Sequence, residues 1–382
     1  MESSSGWPQE GHRRVDCSTT IHHATTRFPP RWVWHNTWVP LLLLVALWLA
    51  LPAQAGSVFL SGARHEYQRY NNCGPVTLGM ALSYWGGSLT QYQIAPVLKP
   101  NKNDKNVSPE EMVAFARKQG FGVRAGVAGD LGLLKRLLAG GFPVIIETWF
   151  VTPDHGGMGH YRLLVGYDDR LGHFNAFDSY YGPKVTLRYG EMDALWQVFN
   201  RTYLVVYPPS RKAQLATLLG SRMNGQTELR MALELARRET QASPHNAFAW
   251  FNLGSTLLQL GNAEEAARAY DRSRQIAPSR TLDPRRPANA VGNWPWRMLW
   301  YQFGPYEAYF KTGRYHEVIV LASDVLGRID DHEESYYWRG LARKALGNLE
   351  GARADFQAAL RYRPGYLEAA QALQALWTQS NR

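Results

Sequence analysis

Two stretches in the C-terminal half of the chain repeat one pattern of small and aromatic residues over about 34 residues each. They run from Ala247 to Arg280 and from Glu333 to Tyr366. Small residues let paired helices touch, and aromatic residues fill the space between neighbouring pairs. The matched positions are Gly254 and Gly340, Ala266 and Ala352, Tyr270 and Phe356, and Pro278 and Pro364. This spacing predicts stacked helix pairs, each of which buries its apolar face against the next.

The two units resemble tetratricopeptide repeats, and weaker copies begin near Ala213 and Leu299. With a closing helix from Tyr366 to Trp377, the pattern predicts that residues 210–382 form an all-α superhelix, an α-solenoid. The resemblance implies that its concave face binds a peptide, a protein substrate or a protein partner.

The repeat spacing is interrupted from Ser279 to Trp296, a segment rich in proline and arginine. Two interpretations of this insertion stay open. It could contact the N-terminal half of the chain or a partner, or it could be only an extended connector.

The N-terminal 55 residues are typical of a targeting segment. An apolar run from Trp38 to Leu51 is shorter than the roughly 20 residues that a membrane-spanning helix needs. Small residues at Ala53 and Ala55 follow it, as at a signal-peptidase site. Residues 1–55 are therefore predicted to be a secretory signal or an uncleaved membrane anchor. Either would place the rest of the chain in the periplasm, the cell envelope or the extracellular space.

The chain has two cysteines, and Cys17 lies in this leader. Removal of the leader leaves Cys73 alone, so the mature chain can form no internal disulfide. A lone thiol in an exported protein is either buried and inert or chemically active.

The residues around Cys73 favour the active alternative. Asn71 and Asn72 are helix-capping types, Pro75 suits the first helical position because it has no amide hydrogen, and an apolar run to Trp85 predicts a helix. The positive end of the helix dipole would favour a thiolate at Cys73. Gly74 would let the backbone pass close to a bound group. Gln68, five residues upstream, could stabilise an oxyanion together with the Cys73 backbone amide.

A second stretch offers a proton acceptor for this thiol. One strand-like run begins at His160 and a second one ends at Asp178. The turn Asp168-Asp169-Arg170-Leu171-Gly172 joins them. An antiparallel hairpin would bring His160 beside Asp178. The carboxylate would orient the imidazole, whose other nitrogen takes the proton of Cys73.

These residues resemble the C39-type cysteine peptidases and their exported C39-like relatives. The resemblance covers about residues 56–209 and rests on Gln68, Asn72-Cys73-Gly74-Pro75, Gly159-His160-Tyr161 and Asp178. It implies an α+β papain-like domain, a Cys73–His160–Asp178 triad and an oxyanion role for Gln68. In papain-type enzymes the glutamine usually lies six residues before the cysteine, whereas Gln68 lies five before it. The resemblance is not taken to imply cleavage of leader peptides after Gly-Gly, because that activity belongs to relatives in which the domain is fused to a membrane transporter.

Two other classes of function remain compatible with these residues. The cysteine domain could be a non-catalytic scaffold for protein–protein interaction. Alternatively, the same thioester chemistry could serve a thiol amidase or an acyltransferase.

Lysine and arginine are dispersed among acidic residues, which does not favour binding to nucleic acid despite a formal net charge of +10. No ligand set has zinc spacing, so neither a metal nor a cofactor is predicted.

Other histidines and elements are interpreted as structural. His155, in a glycine-rich loop, is the rival of His160, and His65 and His173 have no partner pattern. Ser108 to Glu111 forms a capping box that predicts a helix. Residues Leu131 to Leu138 predict another helix, and Phe142 to Glu147 a buried strand.

Overall fold

The structure is a computed structural model that describes residues 56–152, 156–276, 282–285 and 291–380. The predicted leader, His155 and parts of the 279–296 insertion lie outside these residues. The strands are β1 (Ser57–Phe59), β2 (Gly122–Gly126), β3 (Val144–Thr152), β4 (Gly156–Asp168), β5 (His173–Asp178), β6 (Gly182–Arg188) and β7 (Tyr203–Tyr207).

These strands form one sheet in the order β2-β7-β3-β4-β5-β6, and β1 pairs with the end of β4. Every pairing is antiparallel. The long strands β3 and β4 run side by side from Val144↔Leu164 to Thr152↔Gly156. The predicted buried strand thus begins at Val144 and continues well past Glu147.

The helices of the N-terminal half cover both faces of this sheet. Alternate side chains of a strand point to opposite faces, so Ile145 packs in one apolar cluster and Ile146 in the other. The helices are α1 (Cys73–Tyr84), α2 (Gln91–Leu98), α3 (Pro109–Lys118), α4 (Leu131–Ala139) and α5 (Tyr189–Gln197). The first three contribute to the cluster with Ile145, and α4 and α5 to the other.

Two of the helix starts predicted in this half are confirmed. Ser108 accepts a hydrogen bond from the Glu111 backbone N–H, and the Glu111 side chain accepts one from the Ser108 N–H in return. Helix α4 begins at Leu131 as predicted, because Asp130 caps it through the Leu133 N–H.

The C-terminal half is helical, as predicted. Its helices are α6 (Lys212–Leu219), α7 (Gly225–Ala242), α8 (Ala247–Gln259), α9 (Ala263–Gln275), α10 (Gly304–Lys311), α11 (Tyr315–Leu326), α12 (Glu333–Ala345), α13 (Leu349–Tyr362) and α14 (Leu367–Ser380). The two strongest repeat units are the pairs α8–α9 and α12–α13. The weaker unit predicted near Leu299 corresponds to α10–α11. In both strong units the glycine packs on the aromatic ring of its partner helix, Gly254 on Tyr270 and Gly340 on Phe356.

The two halves share apolar core at their junction. Leu215 and Leu219 of α6 are buried with the sheet residues that contact α4. Trp149 and Phe199 of the N-terminal half are buried in the same cluster as Tyr270 and Trp300 of the repeats. The described residues accordingly form one compact unit.

Candidate active site

Cys73 is the first residue of α1, and its thiol is free and half-buried. The N-terminal cap of α1 differs from the prediction. Asn72 makes no side-chain bond to the helix; it donates to Gln91 Oε1 at 3.0 Å and accepts from Lys99 Nζ at 3.3 Å. Asn71 adopts a left-handed backbone conformation, φ 54°. The amide groups at the start of the helix therefore stay free of side-chain caps.

The predicted position of Pro75 is also corrected. Pro75 is the third helical residue, not the first, because the helix begins at Cys73 itself. Gly74 serves close packing within the domain: a Cβ there would lie 3.1 Å from Cβ of Val107 and 3.5 Å from the Tyr161 ring.

The structure brings His160 and Asp178 together, with His160 Nε2 3.0 Å from Asp178 Oδ1. A β-bulge in β4 makes this contact possible. Next to the turn, Asp168 pairs with His173, whereas past the bulge between Leu164 and Gly166, Arg162 pairs with Asp178. Without the extra residue, Asp178 would pair with Leu163 and face the opposite side of the sheet. The bulge therefore places Asp178 on the face that carries Arg162 and His160.

Asp178 is fully buried and saturated with donors. Its Oδ1 also accepts from the backbone N–H groups of Tyr180 and Tyr181, at 2.7 and 3.0 Å. Its Oδ2 accepts from Arg162 Nε at 2.7 Å. These bonds lower the pKa of Asp178 far below its usual range, against the opposing effect of burial. Asp178 is therefore ionised at any physiological pH.

Phe150 and Arg162 also belong to the site and were not among the residues predicted from the sequence. The Phe150 ring stacks on the His160 imidazole, with centroids 4.5 Å apart and planes at 27°. Arg162 also donates to Thr148 Oγ1 and lies over the Phe150 ring at 5.2 Å. The two-residue spacing from His160 to Arg162 on one strand could have placed Arg162 on the same face.

The imidazole lies between the thiol and the carboxylate. Its Nε2 is 3.0 Å from Asp178 Oδ1, and the ring is close enough to Cys73 for each of these two side chains to shift the pKa of the other. Since Nε2 faces Asp178, Nδ1 is the nitrogen left for the thiol. Burial lowers the pKa of His160, but its bonds to Asp178 and Cys73 outweigh that effect and raise it. Its tautomer, with Nε2 carrying the proton toward the carboxylate, follows from this geometry.

The thiol titrates in the opposite direction. Burial raises the pKa of Cys73, but the hydrogen bond to His160, the backbone amide of Tyr161 and the charge of Lys99 together bring it below its ordinary value. Lys99 is nearly buried and donates to the Asn71 carbonyl at 2.9 Å. A lowered thiol pKa beside a raised imidazole pKa favours a thiolate–imidazolium pair.

Gln68 lies on the loop that leads into α1. Its side-chain Oε1 accepts from Ser179 Oγ at 2.7 Å, and its backbone N–H donates to the Ser179 carbonyl at 2.9 Å. Ser179 directly follows Asp178, so the loop is tied to the end of β5. Because Oε1 is occupied, the amide group keeps only its Nε2 hydrogens for another acceptor.

The repeat half reaches the residues next to His160. Arg297 donates to the Gly157 carbonyl at 3.1 Å, and the Trp149 indole donates to the Leu282 carbonyl at 2.7 Å. Tyr301 packs on Gly159, where a Cβ would lie 3.1 Å from its ring. Of the two interpretations of the 279–296 insertion, the described part therefore supports contact with the N-terminal half.

The other histidines take no part in this arrangement in the described residues. His65 Nε2 donates to the Asp178 carbonyl at 2.9 Å, so it supports the end of β5. His173 pairs with Asp168 at the hairpin turn, away from Cys73. His155 lies outside the described residues.

Neither a metal site nor a membrane-spanning helix is found in the part of the chain that the structure describes. In the ranges that the structure covers, no group of three or more His, Cys, Asp or Glu side chains could hold a metal ion. Of the helices described above, none is long and apolar enough to cross a membrane.

The comparisons agree with this fold. Residues 60–205 match the model of the Peptidase_C39 like family, and residues 247–280 and 333–366 each match a tetratricopeptide repeat model. Residues 60–205 therefore form a C39-like domain, and tetratricopeptide repeats follow it in the chain. The predicted limits of the two strongest repeats are confirmed.

Solved structures resemble parts of the chain at low identity. A protein from Bacillus anthracis described as a C39-like peptidase is 16% identical, with 40% of this chain and 97% of that one covered and a TM-score of 0.33. The peptidase domain of Streptococcus ComA, a bifunctional ABC transporter of a quorum-sensing pathway, is 18% identical. The match covers 38% of this chain and 98% of that one, with a TM-score of 0.32. MamA from Desulfovibrio magneticus RS-1 is 17% identical. The match covers 44% of this chain and 86% of that one, with a TM-score of 0.33. No curated protein matches.

Proposed function

We propose that this protein is an exported cysteine peptidase in which Cys73 hydrolyses a peptide bond. The observation that carries the proposal is the continuous connection from the Cys73 thiol through His160 to Asp178. Each group has the pKa shift that its role requires: lowered for the nucleophile, raised for the base and lowered for the orienting carboxylate.

In the first half-reaction the Cys73 thiolate attacks the carbonyl carbon of the substrate, and a C–S bond forms. The electron pair of the carbonyl moves to oxygen. Collapse of this intermediate breaks the C–N bond, and the imidazolium of His160 gives its Nδ1 proton to the leaving amine. The enzyme is left as a thioester.

In the second half-reaction His160 removes a proton from water, and the hydroxide attacks the thioester. The C–S bond breaks, a carboxylic acid leaves, and the thiolate–imidazolium pair is restored. Asp178 stays ionised throughout and stabilises the imidazolium through its 3.0 Å contact.

The oxyanion of both steps would be held by two donors. One is the Cys73 backbone amide, since the first N–H groups of a helix have no intrahelical acceptor. The other is Gln68 Nε2, whose orientation Ser179 fixes by occupying Oε1. The C-terminal repeats would dock the protein substrate or a partner.

Export is proposed on the leader sequence alone. The apolar run Trp38 to Leu51 followed by Ala53 and Ala55 supports a cleaved signal. N-terminal sequencing of the mature protein tests it: a start near residue 56 is expected, and an intact leader on a soluble cytoplasmic product would refute export.

Comparison of protein termini in cells with and without active enzyme tests the peptidase itself. Wild-type protein should generate new N-termini that are absent with Cys73→Ala at equal expression. If the two sets of termini coincide and Cys73 reacts with thiol reagents no faster than a free thiol, the domain is a scaffold. If the termini coincide but Cys73 reacts rapidly, an amidase or acyltransferase is the reaction class that remains.

A further inference from the structure

A cavity of about 330 Å³ lies between the peptidase domain and the repeats. This volume falls at the lower end of ligand sites, which measure roughly 300 to 1,000 Å³. Glu147 and Phe199 line it from the peptidase domain, and Tyr301, Gln302 and Glu307 line it from the repeats. The walls therefore come from both halves of the chain.

The cavity adjoins the proposed catalytic groups. A Cβ on Gly159, the residue before His160, would lie 3.0 Å from Glu147 Oε1 and 3.1 Å from both the Phe199 and the Tyr301 rings. Glu147 and Tyr301 are also close enough to Cys73 for its thiolate to raise the pKa of each. A group bound in the cavity would therefore lie beside the bond that Cys73 attacks.

The carboxyl groups on the cavity wall have no basic side chain among the other described lining residues. Glu110, Glu147 and Glu307 contribute carboxyl groups, and none of the lining residues that the structure describes is Lys, Arg or His. Lys311 pairs with Glu307 at 2.5 Å and balances that charge. Glu110 and Glu147 have no such cation among the lining residues. Glu147 is only 5% exposed, whereas Glu110 is exposed, so the cavity leads from the surface inward to Glu147.

We propose that this interdomain cavity receives a basic side chain of the substrate, arginine or lysine, next to the bond that is cleaved. The inference rests on the proposed peptidase function and adds its specificity. A guanidinium or ammonium group would reach Glu147 at the inner end, and its aliphatic stem would lie along Phe199 and Tyr301. The repeats would thus form part of the substrate pocket besides docking the substrate protein.

The ionisation of Glu147 is consistent with such a ligand. Burial, and then the nearby Cys73, raise the pKa of Glu147 well above its ordinary value; a hydrogen bond from Tyr161 opposes this shift and the charge of Glu110 adds to it, so the empty cavity favours the protonated carboxyl. A bound cation supplies the missing counter-charge and lowers that pKa. Binding should therefore release a proton, and it should strengthen as pH rises toward the pKa of the empty state.

Matched irreversible probes test the proposal in the full-length protein. Peptidyl vinyl sulfones carry arginine, or its neutral isostere citrulline, at each of the two positions nearest the warhead. The rate constant for Cys73 modification should be roughly 10- to 100-fold higher for arginine than for citrulline at one of these positions, as for a hydrogen bond between charged groups. The ratio should approach one in Glu147→Gln, fall partly in Glu110→Gln, and persist in Glu350→Gln, which changes an exposed carboxylate of α13.

A binding measurement keeps the test independent of catalysis. Calorimetry on the Cys73→Ala protein compares N-acetyl-arginine amide with the citrulline amide in buffers of different ionisation enthalpy. Preferential binding of the arginine compound with proton release supports the pocket even if the protein proves not to be a peptidase. Equal binding of the two compounds, or a preference that survives in Glu147→Gln, overturns it. Failure of the peptidase proposal alone would appear as slow modification of Cys73 by every reagent, including iodoacetamide.

Discussion

Arg162 Nε donates to Asp178 Oδ2 at 2.7 Å, on the carboxylate oxygen opposite the one that faces His160. The ion pair is buried on both sides. It fixes the carboxylate plane, while the charge of Arg162 opposes that of protonated His160 and lowers the His160 pKa. Arg162 therefore positions Asp178 and limits how basic the imidazole becomes.

Replacement of Arg162 by methionine should destabilise the protein by about 3 to 5 kcal/mol, because it leaves a buried carboxylate without its cation. Denaturant unfolding measures the change. Arg170→Met, at an exposed turn position, is the matched control and should cost less than about 0.5 kcal/mol. Equal unfolding midpoints for the two variants would show that Arg162 does not hold Asp178.

Gln68→Ala should lower kcat about 10²- to 10³-fold with little change in KM, since it removes one of the two proposed oxyanion donors. Ser179→Ala should have a smaller effect, because it frees Oε1 and loosens the Gln68 amide without removing the donor. Steady-state kinetics on a cleaved reporter peptide would measure both. A Gln68→Ala enzyme with unchanged kcat would assign the oxyanion to backbone donors alone.

A group of buried carboxyls at the domain junction should make stability depend on pH. Asp104 faces Glu333 and Glu334 across the junction, with Glu111 and Asp331 nearby and Lys99, Lys105 and Arg363 as the facing cations. His332 stays neutral, since burial lowers its pKa to about 4. Burial raises the pKa of Asp104 to about 7 and also raises those of Glu333 and Glu334.

The direction in which stability changes with pH follows from the raised pKa values of these three carboxyl groups. Above about pH 4 an unfolded carboxyl loses its proton, while the folded protein retains it up to the raised pKa. Stability should thus be greatest near pH 4 as far as these groups are concerned, and should fall as pH rises to about 7 and beyond. Glu333→Gln should be more stable than wild type by roughly 1 to 3 kcal/mol at pH 8 and about equal at pH 4. Glu350→Gln should show no such difference, and a Glu333→Gln advantage that does not grow with pH would contradict the assignment.

Gly157→Ala should separate the 279–296 insertion from the peptidase domain. Its Cβ would overlap the Trp149 indole nitrogen and lie 2.5 Å from the Leu282 carbonyl oxygen. A loss of about 1 to 3 kcal/mol is expected, with faster proteolysis within the insertion. Gly190→Ala is the control, because nothing lies within 4 Å of its added Cβ. Equal cleavage rates in the two variants would show that the contact does not hold the insertion.

The parts of the fold that local patterns encode were predictable from the sequence. Gly254 and Gly340 mark helix contacts that any paired-helix repeat must make, so their spacing was sufficient. The proximity of His160 and Asp178 was predictable because two strand-like runs joined by a tight turn bring their ends together.

The features of the fold that depend on strand register, or on residues distant in the sequence, were not predictable. The bulge near Val165 decides which face Asp178 occupies, yet no local signal distinguishes it from a regular strand. Asn72 bonds to Gln91 and Lys99 instead of its own helix, because those side chains arrive from another element. Tyr301 reaches Gly159 only through the packing of the two domains.

The pH dependence of Cys73 alkylation by iodoacetamide tests the central claim most directly, because it requires no knowledge of the substrate. With the thiol pKa lowered and the His160 pKa raised, the wild-type rate should persist well below the ordinary thiol pKa of about 8.5. In His160→Ala the profile should move to higher pH, since the hydrogen bond and the charge that favour the thiolate are gone. A wild-type profile with one transition near pH 8.5, unchanged by His160→Ala, would contradict an activated thiol at Cys73.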